Sequence, residues 1–181
     1  IWAVIFGRHI GLEKDDLYSL AQATLLKDIG TLKINKQILR ASPRTDEQQT
    51  IYQTHVLHCV QLLEDNAAVS PTVIDIIQNH CERIDGSGYP RGLVGDKIPS
   101  LSKIVGIVTT YDGITNPRDA AVPLTPSAAI RALYTQRNRA FQEELVVEFI
   151  QAVGIYPTGT LVELNSGEVG VVVEQSPKRR L

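Results

Sequence analysis

Apolar residues in this chain recur mostly at three- and four-residue spacing, the period of helices that bury one face. The first run, Ile1 to Ile10, reads as a helix stopped by Gly11, and Asp15 or Asp16 opens the next. That second helix, Leu17 to Ile29, sets Leu17, Leu20, Ala21, Thr24, Leu25 and Asp28 on one stripe, with Gly30 in the C-terminal glycine position. Thr31 to Leu39 is a connection with a weak helical piece. Thr45-Asp-Glu-Gln48 has the form of a capping box, in which the threonine accepts from the third helical N–H and the glutamine reaches back. It opens a helix predicted to run to about Asp65, bearing Ile51, His55, Val56, His58, Leu62 and Leu63. Ser70-Pro71 and Thr125-Pro126 each pair an N-cap with proline at the first helical position, predicting helices that end at His80 and Tyr134. Phe141 to Val153 is amphipathic, with Leu145, Val146, Phe149, Ile150 and Val153 inward and Gly154 as its stop. Leu101 to Tyr111 is apolar and β-branched, and by period alone is ambiguous between a strand and a buried helix.

Two stretches break this pattern. Asn79 to Ser100, NHCERIDGSGYPRGLVGDKIPS, gathers Gly86, Gly88, Gly92 and Gly95 with Pro90 and Pro99. Each glycine costs a helix interior about 1 kcal/mol, so the stretch is a long loop, and such loops inside a domain usually carry function. Near the end, Thr160 to Leu164 and Val169 to Glu174 are β-branched segments around Asn165-Ser-Gly167-Glu, which predicts a β-hairpin. A lone hairpin is marginal in water, so this one should pack on the helices. Lys178-Arg-Arg180 reads as a frayed, solvated end.

Composition narrows the class. The 181 residues are enough for one well-packed domain, and a net charge of −2 argues against a protein that coats DNA or RNA. The two cysteines, Cys59 and Cys81, form no CxxC and no zinc-finger spacing. They read as reduced, partly buried thiols of a cytoplasmic protein. No apolar run approaches the length of a membrane span. The chain lacks methionine and begins inside a helical run, so we read it as a piece of a larger protein.

Segment 80–93, HCERIDGSGYPRGL, resembles the signature of the HD-GYP domains, His-His-Glu-x-x-Asp-Gly-x-Gly-Tyr-Pro-x-Gly-Leu. Glu82, Asp85, Gly86, Gly88, Tyr89, Pro90, Gly92 and Leu93 match, and Asn79 is read as standing at the first histidine, with His80 as the second. Segment 25–31, LLKDIGT, is similar to the family's Leu-Leu-His-Asp-Ile-Gly-Lys, with Lys27 at the ligand histidine and Thr31 at the lysine. Segment 105–115, VGIVTTYDGIT, matches a third motif at Tyr111 and Asp112 but has Thr109 at its metal-binding aspartate. Arg118 matches a substrate-binding arginine, whereas the further basic positions of that stretch hold Asp119, Ala120 and Ala121.

The resemblance implies an all-α HD-domain helical bundle with a small C-terminal β-hairpin, divided as residues 1–154 and 155–181. It settles 101–111 as helix. The family hydrolyses cyclic di-GMP with two or three metal ions, iron or manganese, whose clamp on the attacking and leaving oxygens needs several histidines and carboxylates. With Lys27, Thr31, Asn79 and Thr109 at functional positions, the resemblance leaves too few donors for a pair of ions. No cofactor is therefore expected. The alternative is a single iron, manganese or zinc ion on Asp28, His55 and His80.

Lys27 is expected to neutralise Asp28, leaving a positive pocket without a metal. His55 alone, on an otherwise apolar stripe, would read as a hydrogen-bonded core residue. His58 matches no family ligand. The intact loop, with Glu82, Asp85, Gly88, Tyr89 and Pro90 beside Arg118, is expected to bind nucleotide or partner, a GGDEF-domain protein being the partner that the family suggests. The leading reading is a degenerate, catalytically inactive regulatory module of cyclic di-GMP signalling. A slow one-metal phosphodiesterase is the enzymatic rival, and a homodimerisation module the structural one.

Overall fold

Thr45, Ser70 and Thr125 cap helices where their positions predict. Thr45 and Gln48 form the reciprocal capping box, and Ser70 and Thr125 accept from the N–H groups of Val73 and Ala128. The computed structural model describes residues 1–119 and 121–174. Ala120 and the Lys178–Arg180 end, read above as frayed, lie outside the described residues.

The helices are α1 (Trp2–His9), α2 (Lys14–Leu26), α3 (Lys36–Arg40), α4 (Asp46–Gln53), α5 (His55–Leu63), α6 (Pro71–Asn79), α7 (Ser100–Thr115), α8 (Pro126–Thr135) and α9 (Glu143–Val153). Short 3₁₀ turns occupy Ile29–Lys33 and Gly95–Lys97. A two-stranded hairpin, β1 (Leu161–Glu163) and β2 (Val169–Val171), follows, with Leu161 opposite Val171 and Glu163 opposite Val169. The protein is thus a helical bundle with a small C-terminal hairpin, as the sequence led us to expect.

The core lies where α1, α2, α6, α7 and α9 meet. Phe149 stacks edge-on against both Phe6 and Tyr111 with ring centroids 5.3 Å apart, and all three rings are buried. Helix α7 buries Ile104, Val105, Ile107, Val108 and Tyr111, nearly its whole circumference. A helix buried all round has no polar face, which is why its period was uninformative.

Three expectations are corrected. The second helix stops at Leu26, and Gly30 lies within the following 3₁₀ turn instead of capping the helix. Gly30 is small because it passes beneath α5: a Cβ there would sit 2.0 Å from the His55 carbonyl oxygen and 2.6 Å from the Cys59 nitrogen. The stripe also rotates, since Leu20 and Ala23 are fully buried while Leu25 is 83% exposed. The single helix expected from the capping box to Asp65 is two, because the chain tightens at Thr54, whose N–H bonds Ile51 only three residues back. That turn makes His55 the first residue of α5.

The hairpin strands remain largely exposed, Leu161 and Val171 included. An open cleft of about 940 Å³ lies between them and Trp2, Tyr111 and Thr125. Among the described residues, no helix is long and apolar enough to cross a membrane.

Candidate functional site

The 3₁₀ turn after α2, the start of α5, the end of α6, the glycine-rich loop and the last turns of α7 converge on one pocket of about 760 Å³. Cys59 locks the first of these in place. Its sulfur accepts from the Gly30 N–H at 3.0 Å and donates to the Lys27 carbonyl at 2.9 Å. This seats Lys27 and Asp28 at the pocket wall.

Lys27 Nζ lies 2.7 Å from Asp28 Oδ2, and Arg118 Nη1 lies 2.7 Å from the same oxygen. Burial pushes the Asp28 carboxyl up, but the Lys27 ammonium, with Arg118 behind it, outweighs that and holds it below the usual range. Thr31 donates its hydroxyl to the Asp28 carbonyl at 2.6 Å. Thr109 also lines the pocket, and its buried Oγ1 has no hydrogen-bond partner among the described residues.

Opposite this ion pair stand two buried histidines. His55 donates Nδ1–H to the Tyr52 carbonyl at 2.8 Å, and His80 to the Ile77 carbonyl at 2.7 Å. A carbonyl only accepts, so both rings carry their proton on Nδ1 and present the Nε2 lone pair. Burial holds the His55 imidazole below its ordinary pKa. Burial, then the nearby Lys27 ammonium, takes His80 to about 3. Both rings are therefore neutral at pH 7.

Cys81 Sγ sits 3.3 Å from His80 Nε2, and burial pushes its thiol pKa up. The ligand atoms of His55, His80 and Cys81 all lie within 4.8 Å of one another.

The placement of Asn79 corrects the sequence reading. Asn79 is buried away from the pocket, donating to the Asp75 carbonyl and carboxylate and accepting from Arg91 Nη2 at 2.6 Å. The residue that accompanies His80 into the site is Cys81, so the altered member of the histidine pair is a cysteine at 81, not an asparagine at 79. Segment 80–93 taken from its first letter already sets Cys81 just before Glu82, and that register was the missed signal. Asp28, expected as a third metal ligand, has its Oδ2 in two ion pairs.

The glycine-rich loop is fastened from within. Glu82, 4% exposed, accepts from the N–H groups of Arg91 at 2.7 Å and Leu93 at 2.8 Å, so its carboxylate shapes the loop and does not face a ligand. Gly88 passes so close to the chain below that a Cβ would meet Glu82 Cα at 2.4 Å. Tyr89 turns inward, its ring 6.2 Å from that of His55, and lines the pocket. Pro90 is half-buried, and Asp85 accepts from the Ser87 N–H and hydroxyl at 3.0 and 2.6 Å. Replacing Glu82 by alanine should cost about 1.5–3 kcal/mol, the worth of hydrogen bonds to a charged group. Urea denaturation measures the loss, and faster proteolytic cutting between residues 86 and 97 would accompany it.

The pocket's cations include residues that sequence reasoning passed over. Lys36, Arg40, Arg44 and Arg83 join Lys27 and Arg118, against the carboxylates of Asp28, Asp112 and Asp119. Arg44 lies over the Tyr52 ring at 4.2 Å and pairs with Asp119 at 3.6 Å. Lys36, Arg40 and Arg44 come from short α3 and the turn after it, outside any motif, and only the fold collects them.

A pair of metal ions does not fit this donor set. Asp28 Oδ2 is held in ion pairs by Lys27 and Arg118, which bring positive charge to the place where cations would bind, and Thr109 contributes a hydroxyl and no carboxylate. A single ion does fit, on His55, His80 and Cys81, where it would supply a Lewis-acidic centre.

A family model described as the HD domain matches residues 1–145. A cyclic di-GMP phosphodiesterase of Pseudomonas aeruginosa is 38% identical over 95% of this chain and 42% of its own length. The cyclic di-GMP phosphodiesterase response regulator of Xanthomonas campestris is 29% identical over 80% of this chain and 39% of its own. In fold, an HDG"Y"P protein from Bdellovibrio bacteriovorus superposes with a TM-score of 0.69 at 19% identity, over 82% of this chain and 47% of that one. The chain belongs to the HD-domain family, and cyclic di-GMP phosphodiesterases are among the relatives it resembles. It spans less than half the length of these relatives.

Proposed function

We propose that this domain is a regulatory module that binds a cyclic dinucleotide of the cyclic di-GMP class and does not turn it over, as a cytoplasmic part of a larger signalling protein. The observation that carries this reading is the Asp28 carboxylate held at 2.7 Å by both Lys27 and Arg118. Hydrolysis of a phosphodiester at a paired metal centre needs that carboxylate free to bridge. Binding needs only a cavity of adequate size with convergent cations, and arginine suits phosphate oxygens through its planar fork of donors. The outer edge of the loop, around Asp85 and Ser87, is the surface offered to a protein partner such as a GGDEF domain.

A second reading has its own support. The buried His55, His80 and Cys81 donors fit one ion, and relatives are phosphodiesterases, so a slow one-metal enzyme acting on cyclic di-GMP or its linear product is the alternative. Incubation of the purified protein with cyclic di-GMP and manganese or zinc separates the two. We expect calorimetric binding with no linear dinucleotide formed, and affinity lower by about tenfold, or 1.4 kcal/mol, in Arg118→Ala. Repeated turnover would decide for the enzyme.

A further inference from the structure

We propose that His55, His80 and Cys81 form a site for one thiophilic divalent cation of the zinc class, with Cys81 bound as its thiolate. This rests on the reading above that Asp28 is engaged by Lys27 and Arg118, so that the anionic ligand must come from elsewhere.

The two imidazoles are already set for it. Each is fixed through Nδ1 by a backbone carbonyl, at 2.8 Å for His55 and 2.7 Å for His80, which aims the unprotonated Nε2 into the pocket. Metal-binding histidines are oriented by such a bond on the other nitrogen. Zinc bonds of about 2.0 Å to nitrogen and 2.3 Å to sulfur put neighbouring tetrahedral donors about 3.3–3.5 Å apart. His80 Nε2 and Cys81 Sγ are 3.3 Å apart, and all three donors fall within 4.8 Å.

Donor chemistry then selects the ion. Manganese and magnesium favour carboxylate oxygens, whereas two imidazoles and a thiolate suit zinc. On binding, the thiol gives its proton to water, and the thiolate offsets one of the two charges of the ion. The Lys27 ammonium disfavours a second cation beside it. Three protein donors leave the fourth position to water or to a ligand oxygen.

Metal analysis and cobalt substitution test this on the whole chain. Protein exposed to zinc and then dialysed should retain one ion per chain. Its cobalt(II) form should show the near-ultraviolet charge-transfer absorption of a cobalt–thiolate bond. Cys81→Ser should lose that band and bind zinc on the order of 100-fold more weakly. In the unaltered protein, zinc should slow alkylation of Cys81, a readout that does not depend on the variant folding. A cobalt spectrum without the sulfur band, or a band that survives Cys81→Ser, overturns the site. Failure to bind zinc would overturn the site too and leave the non-hydrolytic reading standing. Hydrolysis by protein that carries the thiolate-bound ion would overturn that reading and leave the site intact.

Discussion

Gly30→Ala should destabilise the protein by about 3 kcal/mol or more, the upper range for forcing atoms into a packed interior. At about 2–4 °C per kcal/mol for a chain of this size, the melting temperature should fall by roughly 6–12 °C. The added methyl would overlap the His55 carbonyl oxygen at 2.0 Å, the Cys59 nitrogen at 2.6 Å and the Cys59 sulfur at 2.9 Å. Two of those atoms are backbone and cannot rotate away, so the 3₁₀ turn or α5 must shift. Either movement breaks the Cys59 bonds that seat Lys27 and Asp28. Gly113→Ala is the control. Gly113 is exposed in α7, and a methyl added there would meet nothing within 4 Å, so alanine should stabilise by about 1 kcal/mol through helix propensity. A melting temperature unchanged in Gly30→Ala would mean that the two elements are not in contact as described.

Lys27→Ala should tighten manganese binding on the order of 100-fold, by removing charge repulsion and releasing one ion pair from Asp28. An ammonium 4 Å from a cation costs about 4 kcal/mol per unit of the ion's charge at an effective dielectric of 20. Arg118 still holds Asp28 in the variant, so only part of that repulsion should be recovered. Equilibrium dialysis against manganese measures the change. An affinity equal to that of the unaltered protein would show that the ammonium is not what excludes a hard ion. The proton balance should move in parallel: without Lys27 the Asp28 carboxyl loses the main influence opposing its burial, so its pKa rises.

Local rules made most of the bundle legible. Side-chain caps at Thr45, Ser70 and Thr125 depend on bonds spanning three residues, and the amphipathic run of α9 repeats within its own helix. The expected Lys27–Asp28 ion pair joins adjacent residues, and it too was readable. Where a feature depended on contact between distant segments, the reading failed. Gly30 looked like a helix cap because the chain it passes beneath, from His55 onward, is invisible in a local window. Leu25 has the right period for burial and yet faces solvent, because which face of α2 is covered depends on where α6 and α1 lie.

The candidate site divides the same way. The sequence alone determined the family likeness, the helical class, the cationic residue at position 27 and the hydroxyl at 109, since each is a matter of residue identity at a motif position. Only the tertiary structure decided which side chains share a volume. It turned Asn79 away to Asp75 and Arg91, brought Cys81 to His80 and His55, folded Tyr89 inward, and drew Arg40 and Arg44 to the pocket wall. The physical reason is that a side chain's direction follows from the backbone turn that carries it and from the partners that compensate its burial, and both come from segments far apart in the chain.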